Sequence, residues 1–424
     1  MFNAYRISCP QSKLNGTIIL EPSKSISNRV LIVQSLCKEE FKINRLSTSD
    51  DTDALVKMLS SDGDVLYSGH AGSSYRFMVA RACLGNKEVK LDASEQLRRR
   101  QIGPLVKALQ TLGADIKYLN KEGFPPLLIK PSENFGKGVN EIHLQAGISS
   151  QYVTALLMIA PYLPNGLVLH LIEDPVSLPY IKMTLDVMQF FGVEHTWTDN
   201  IITIGPGEYK AKDFTVEGDW SAASYFYSMA ALIPVADIFI EGLSEKSLQG
   251  DAIVREIYSH FGVETIFTEN GIQIKKQDHP PRPKEVRYDF SKYPDLAQTL
   301  MVTLAGMGVK GTLSGLKTLR IKETDRINAM QTELAKVKTT LEVKEEEDNV
   351  TCVLTGKAKW KDKAKFDTYE DHRMAMTLSA LACINPIIIR NPEVVSKSYP
   401  GFWSDVVQIG FKIERMKVKN SVKL

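Results

Sequence analysis

Six stretches of this chain begin with polar residues and then run apolar on nearly every side. They start at Ser23, Gly72, Ser149, Asp219, Pro294 and Glu370. A helix without a polar face cannot lie on a protein surface, so six such helices must be buried inside domains. Their N-termini carry hydroxyls, amides and charges, and the N-terminal end of a helix attracts anions. Six related units, three per domain, with dipoles converging on one cleft, is the arrangement this pattern predicts.

A second set of helices interleaves with the first. Leu109–Ile116, Val187–His195 and Ile257–Thr265 each read as an amphipathic helix ended by Gly113, Gly192 or Gly262, with a strand following. These glycines recur roughly 70–80 residues apart, too far for a solenoid but suited to a unit of several strands and two helices. With 424 residues, two domains of about 200 residues each are expected.

The stretch Glu21–Arg29 shows the pattern most clearly. The β-rich run Leu14–Leu20 precedes it, and Ile26, Val30, Leu31, Val33 and Leu36 follow at helical spacing. Lys24, Ser25 and Arg29 therefore fall on the first turns of a helix, an anion site for phosphate or carboxylate. A capped helix with solvated cations is the plain alternative.

Formal charge is only +2, so a global field for nucleic acid or anionic membrane is excluded and any anion site must focus cations locally. The five cysteines show neither paired nor metal-ligand spacing and read as reduced thiols. Apolar runs such as Val153–Ala160 are too short to span a bilayer. A soluble cytoplasmic protein without metal or cofactor is expected.

Further candidates repeat the theme. Arg76 lies one turn into the Gly72 helix, where glycine permits close approach of a ligand. Arg98, Arg99 and Arg100 form either a solvated face or a phosphate site. Ser149, Ser150 and Gln151 cap a helix or bind phosphate, and Asp295 is a helix-start carboxylate or a base. Helical spacing would put Lys322 and Arg326 on one face, with Glu323 nearby. His372 and Arg373 stand in a segment destined for burial, where charges without a ligand are costly.

Pro-Ser-Lys-Ser-Ile-Ser-Asn-Arg, Ala-Gly-Ser-Ser-Tyr-Arg, Ser-Ser-Gln-Tyr, Val-Glu-Gly-Asp-Trp-Ser-Ala-Ala-Ser-Tyr-Phe, Lys-Glu-Thr-Asp-Arg and Asp-His-Arg-Met-Ala-Met follow in this order from about Leu14 to Phe402. Together they resemble the EPSP synthase (3-phosphoshikimate 1-carboxyvinyltransferase) family of enolpyruvyl transferases. The resemblance implies an α/β fold of two inverse α/β barrels, each built from three βαβαββ units around buried parallel helices. It implies one lobe of residues 23–217 and a second of 1–22 plus 218–424, with substrates held between them. It also implies the substrates shikimate 3-phosphate and phosphoenolpyruvate, a monomer, and a target for glyphosate.

Carried over onto these positions, Ser25 and Arg29 would hold the shikimate carboxylate. Ser149, Ser150, Ser177 and Lys322 would hold its phosphate, with Gln151, Tyr180 and Thr318 lining the same pocket. Lys24, Gly72, Arg100, Gln151 and Lys397 would surround the phosphate of phosphoenolpyruvate, and Arg326 and Arg373 would clamp its carboxylate. Asp295 would contact the 5-hydroxyl and Glu323 would move a proton, with Lys24 and His372 as further proton-transfer candidates. The chain departs from the common pattern at His70, Tyr75, Phe77, Gln101, Thr318 and Leu178. The sister transferase that uses UDP-N-acetylglucosamine carries a cysteine before its arginine-bearing helix, and Asp92–Gln101 has none. A catalytically dead binding protein of this fold would not need Lys24, Asp295, Glu323, Arg326 and His372 together.

Overall fold

Pro22–Val216 forms one compact unit; Met1–Glu21 and Glu217–Leu424 together form a second. The computed structural model describes residues 3–145, 149–172, 177–347, 349–361 and 363–417.

The unit of residues 22–216 contains helices α1 Lys24–Leu36, α2 Asp50–Leu59, α3 Gly72–Ala82, α4 Glu95–Arg98, α5 Gly103–Thr111, α6 Ser150–Ile159 and α7 Leu178–Phe190. Its sheets share one logic. Val65–Tyr67 lies parallel to Val89–Asp92, with α3 as the crossover; Leu127–Lys130 and Asp115–Tyr118 then add antiparallel. Glu141–Gln145 and Leu167–Ile172 pair in parallel across α6, followed by Ile201–Ile204 and Thr196–Thr198. The third sheet joins the end of the unit to its start, Phe214–Thr215 running parallel to Ile43–Asn44.

The other unit contains α8 Trp220–Leu232, α9 Val254–Ser259, α10 Ala297–Met307, α11 Arg326–Ala335, α12 His372–Ser379 and α13 Phe402–Gln408. Lys13–Ile19 opens a repeat whose crossover helix, α8, comes only after residues 22–216; it pairs in parallel with Val235–Glu241. Glu285–Asp289 and Lys310–Ser314 pair in the same way across α10. In the last sheet the N-terminal strand Ala4–Ser8 sits between Ile387–Arg390 and Lys412–Met416, the place that the four other four-stranded sheets fill with the final strand of their own repeat. The chain is thus closed by its own beginning.

Burial follows the pattern read from the sequence. Every residue from Trp220 to Ala231 in α8 is buried, while Val235–Glu241 alternates buried and exposed positions. Helices such as α6, α8 and α10 are buried nearly throughout, whereas α2 and α5 keep one exposed face. Each fully buried large apolar side chain contributes about 1.5–3 kcal/mol. The terminating glycines are required. Gly113 and Gly262 have φ of +94° and +74°, and a Cβ on Gly262 would lie 2.3 Å from Pro280 Cβ.

The central helices of each unit point the same way. Gln151, second in α6, donates to Ser73, second in α3, at 2.9 Å, and Asn28 of α1 donates to Ser74 at 3.2 Å. In the other unit Ser224 meets Thr299 at 3.3 Å and, one turn on in both helices, Ser228 meets Thr303 at 2.8 Å. Matching steps along both helices require parallel axes. These buried hydroxyls satisfy one another, as burial demands.

Candidate functional site

In the unit of residues 22–216, Ser23 caps α1, its Oγ accepting from Ile26 N at 3.4 Å, so Lys24 is the first helical residue. Lys24 Nζ lies 3.0 Å from Asp51 Oδ2, with side-chain exposures of 16% and 4%. Asp51 sits in the first turn of α2. Ser74 Oγ donates to the Asp51 carbonyl, tying the pair to α3.

Arg29, on the next turn of α1, is 3% exposed. Its Nε donates to Thr184 Oγ1 at 2.8 Å, and Nη1 to the Ser25 carbonyl at 2.7 Å. Nη2 donates to Thr154 Oγ1 and to the Tyr180 carbonyl at 3.3 and 3.1 Å. All these partners are neutral. Burial pushes the guanidinium down to about 10, opposed only by the Tyr180 phenol. Because Thr154 belongs to α6 and Thr184 to α7, Arg29 fastens together the helices that Ser149 and Ser177 open. Ser149 Oγ accepts from Gln151 N at 3.3 Å, leaving Ser150 and Gln151 as the first residues of α6. Ser177 is buried with a φ of +58°, immediately before α7.

Gly72 opens α3, and a Cβ there would lie 2.8 Å from Arg76 Nη1 and 2.9 Å from Arg100 Nη1. Two guanidinium groups therefore flank a backbone with no side chain. The arginine run divides by role. Arg98 is held by Asp92 at 2.8 Å, and Arg99 faces solvent beside Glu95. Arg100 alone of the three turns toward Gly72. Among the departures, Tyr75 is buried and donates to the Leu91 carbonyl at 3.1 Å, and the Phe77 ring lies 5.6 Å below the Arg29 guanidinium.

The second unit gathers three carboxylates and four cations. Asp295 Oδ2 accepts from Arg373 Nη2 at 3.0 Å; its Oδ1 accepts from Arg326 Nη1 at 3.0 Å and has Lys322 Nζ at 3.6 Å. Glu323 lies between Arg326 Nη2 at 2.8 Å and Lys397 Nζ at 3.3 Å. Asp371, fully buried, takes Arg326 Nε at 2.7 Å and caps α12 through Arg373 N. His372 Nδ1 is 3.8 Å from Asp371 Oδ1. Burial opposes ionisation of Asp295, yet Arg373, Lys322 and Arg326 outweigh it and hold the carboxyl far below the usual range. Burial lowers the Lys322 ammonium, and Asp295 opposes that. Thr318, 8% exposed, has a buried hydroxyl with no hydrogen-bond partner among the described residues.

Two expectations about local structure need correction. Lys322 and Arg326 do not share a helix face: Asp325 caps α11 by accepting from Asn328 N at 3.0 Å, so the helix begins only at Arg326. The cap and the preceding 3-10 turn Lys317–Ile321 break the periodicity, and Asp295 brings the two cations together instead. Glu370 does not start a helix either. Its φ is +56°, and α12 starts at His372 behind the Asp371 cap.

Asp51, Thr154 and Thr184 were not among the residues expected at a site. Asp51 lies in an acidic helix start that reads as ordinary capping; buried threonines inside apolar helices were the available signal for the other two.

The family model for EPSP synthase (3-phosphoshikimate 1-carboxyvinyltransferase) matches residues 9–64 and 57–406. A 3-phosphoshikimate 1-carboxyvinyltransferase of Bacteroides fragilis is 43% identical over 412 residues, covering 97% of this chain and 98% of its own. The chain belongs to the EPSP synthase family. A Photobacterium profundum relative of the same name is 35% identical over 432 residues, covering 94% of this chain and 97% of its own. The solved EPSP synthase of Acinetobacter baumannii shares the fold, with a TM-score of 0.76 at 20% identity over 97% of this chain and 100% of that one. The EPSP synthase fold is that of the two inverse α/β barrels, and no helix among the described residues is long and apolar enough to cross a membrane.

Proposed function

We propose that this EPSP synthase family member transfers the enolpyruvyl group of phosphoenolpyruvate to the 5-hydroxyl of shikimate 3-phosphate, releasing phosphate, in aromatic amino-acid biosynthesis. The observation that carries the reading is Asp295, a carboxylate kept ionised by Arg373, Arg326 and Lys322. It supplies a base in a setting otherwise built for anions.

The substrates together carry two phosphates and two carboxylates, and the cations divide naturally among them. Arg29 has only neutral hydrogen-bond partners among the described residues and suits the shikimate carboxylate, together with Ser25. The hydroxyls of Ser149, Ser150 and Ser177, with Lys322, suit the 3-phosphate; Gln151, Tyr180 and the hydroxyl of Thr318, unpartnered among the described residues, line the same substrate. Lys24, Arg100, Gln151 and Lys397 take the phosphate of phosphoenolpyruvate, which approaches the bare backbone at Gly72. Arg326 and Arg373 take its carboxylate.

The 5-hydroxyl oxygen attacks C2 of phosphoenolpyruvate and its proton passes to Asp295, while Glu323 delivers a proton to C3. The resulting tetrahedral ketal then loses a proton from the new methyl group and expels phosphate. Lys24 and His372 are the other candidates for the carbon proton. Fixed cations stabilise charge in the ketal without reorganising, which is where most of the acceleration would arise. A coupled assay of phosphate release tests the proposal. Release that requires both shikimate 3-phosphate and phosphoenolpyruvate is expected; release with UDP-N-acetylglucosamine instead, or none at all, would overturn it. The family's reaction also fits a cytoplasmic monomer.

A further inference from the structure

Away from the residues assigned above, three side chains converge on the wet face of one sheet in the unit of residues 22–216. Exposure alternates along Glu141–Gln145, so Glu141 and His143 share the solvent side. The parallel neighbour Leu167–Ile172 sets His170 directly opposite His143. The two imidazoles are stacked, their centroids 4.4 Å apart and their planes within 20° of parallel. Glu141 Oε1 is 2.8 Å from His170 Nε2 and 3.4 Å from His143 Nε2. One ligand atom from each residue falls within 4.8 Å of the other two.

A hydrogen-bonded ion pair does not account for this. His170 Nε2 is buried yet has no hydrogen-bond partner among the described residues, so its close approach to Glu141 lacks hydrogen-bond alignment. Two imidazole nitrogens and one carboxylate oxygen are the donor set that zinc and its neighbours prefer, whereas calcium and magnesium seek oxygen alone. Ligand atoms in a tetrahedral zinc site are about 3.3 Å apart, given metal–ligand distances of about 2.0–2.1 Å. Small side-chain rotations would reach that spacing, and the exposed side leaves room for water as a fourth ligand.

We propose that Glu141, His143 and His170 form a binding site for one divalent cation of the zinc class. The ion takes no part in enolpyruvyl transfer. It ties together the two parallel strands that lead toward Ser149 and Ser177.

Zinc titration of untagged, chelator-stripped protein in a calorimeter tests the site. Saturable binding of one ion per chain is expected, weakened at least tenfold by His143→Gln or by His170→Gln. Circular dichroism should be unchanged in both variants, because these side chains contribute little to the core. An anomalous peak at the zinc edge among the three residues would establish the ligands directly. Absence of saturable binding, or binding undiminished in His170→Gln, would overturn the proposal.

Discussion

Lys24 Nζ and Asp51 Oδ2 stand 3.0 Å apart at the first turns of two different helices, 27 residues apart in sequence. The pair fixes the position of an ammonium that the proposed reaction assigns to the phosphate of phosphoenolpyruvate. Lys24→Met should therefore have two separable effects. Turnover should fall by at least 100-fold, since a cation aimed at the transferring phosphate is lost. The melting temperature should also fall, because Asp51 is left buried without its partner. Adding Asp51→Asn should restore the melting temperature and leave the enzyme inactive; recovery of activity in the double variant would remove Lys24 from the phosphate site.

Arg29 presents the opposite case, a buried cation that no carboxylate among the described residues compensates. Replacement by methionine should lower the melting temperature of the free protein, because four hydrogen bonds are lost, three of which join α1 to α6 and α7, a loss that removal of the desolvated charge offsets only in part. KM for shikimate 3-phosphate should also rise by roughly 30-fold or more, the scale of a desolvated charge pair losing one member. Thermal shift by this substrate alone reports the same loss without turnover. An unchanged KM would assign Arg29 to helix packing only.

The starts of α1, α3, α6 and α8 were legible because caps and apolar spacing are local signals, carried by Ser23, Gly72, Ser149 and Asp219. The helix-ending glycines were legible for the same reason. The partners of the site cations were not. Asp371 meets Arg326 across 45 residues, and Thr184 meets Arg29 across 155, distances over which no periodicity carries information. Charge alternation at Lys322–Arg326 imitated a helix, and only the Asp325 cap reveals where α11 begins. His170 becomes the neighbour of His143 solely through strand register. Local chemistry predicts which residues want a partner; topology decides which partner they receive.

Gly72→Ala should act through geometry alone. Its Cβ would lie 2.8–2.9 Å from two guanidinium nitrogens, closer than such contacts tolerate. Arg76 is buried and tied to the Gly72 and Gln101 carbonyls, so Arg100 is the group that must move. Displacing a phosphate ligand by about 1 Å can cost up to 100-fold. KM for phosphoenolpyruvate should rise at least tenfold while that for shikimate 3-phosphate stays close to wild type. An equal rise in both would mean that the substitution disturbs α3 as a whole.

Asp251 gives the fold a pH dependence of its own. It is 3% exposed and bonded by Ser221 Oγ; burial first, then the negative charge of Asp295, raises its carboxyl to about 6. The unfolded value is about 3.9, so the folded state holds this proton more tightly. The stabilisation is fully present below about pH 4 and is lost as pH rises through about 6, a change on the order of 3 kcal/mol. Asp251→Asn, neutral at every pH, should melt several degrees above wild type at pH 7.5 and level with it near pH 4. A constant difference across that range would show that Asp251 does not titrate on folding.

Asp295 is where the proposed chemistry is most exposed to test. Its two oxygens bind Arg373 and Arg326 with Lys322 close by, so the carboxylate stays ionised far below neutral pH. An ionised carboxylate beside the 5-hydroxyl can accept its proton as the oxygen attacks C2. Asp295→Asn keeps the shape and removes the base, so kcat should fall about 100-fold or more with KM little changed. Because this carboxyl does not titrate near neutrality, the acidic limb of the wild-type kcat profile should belong to another group. If Glu323 moves the carbon proton as proposed, Glu323→Gln should slow exchange of solvent hydrogen into the methylene group of phosphoenolpyruvate. Hydroxyl and carbon lie on different sides of the bond being formed, which is why two carboxylates are needed. A rise in KM alone for Asp295→Asn would make Asp295 a positioning residue, and an unaltered exchange rate in Glu323→Gln would pass the carbon proton to Lys24 or His372.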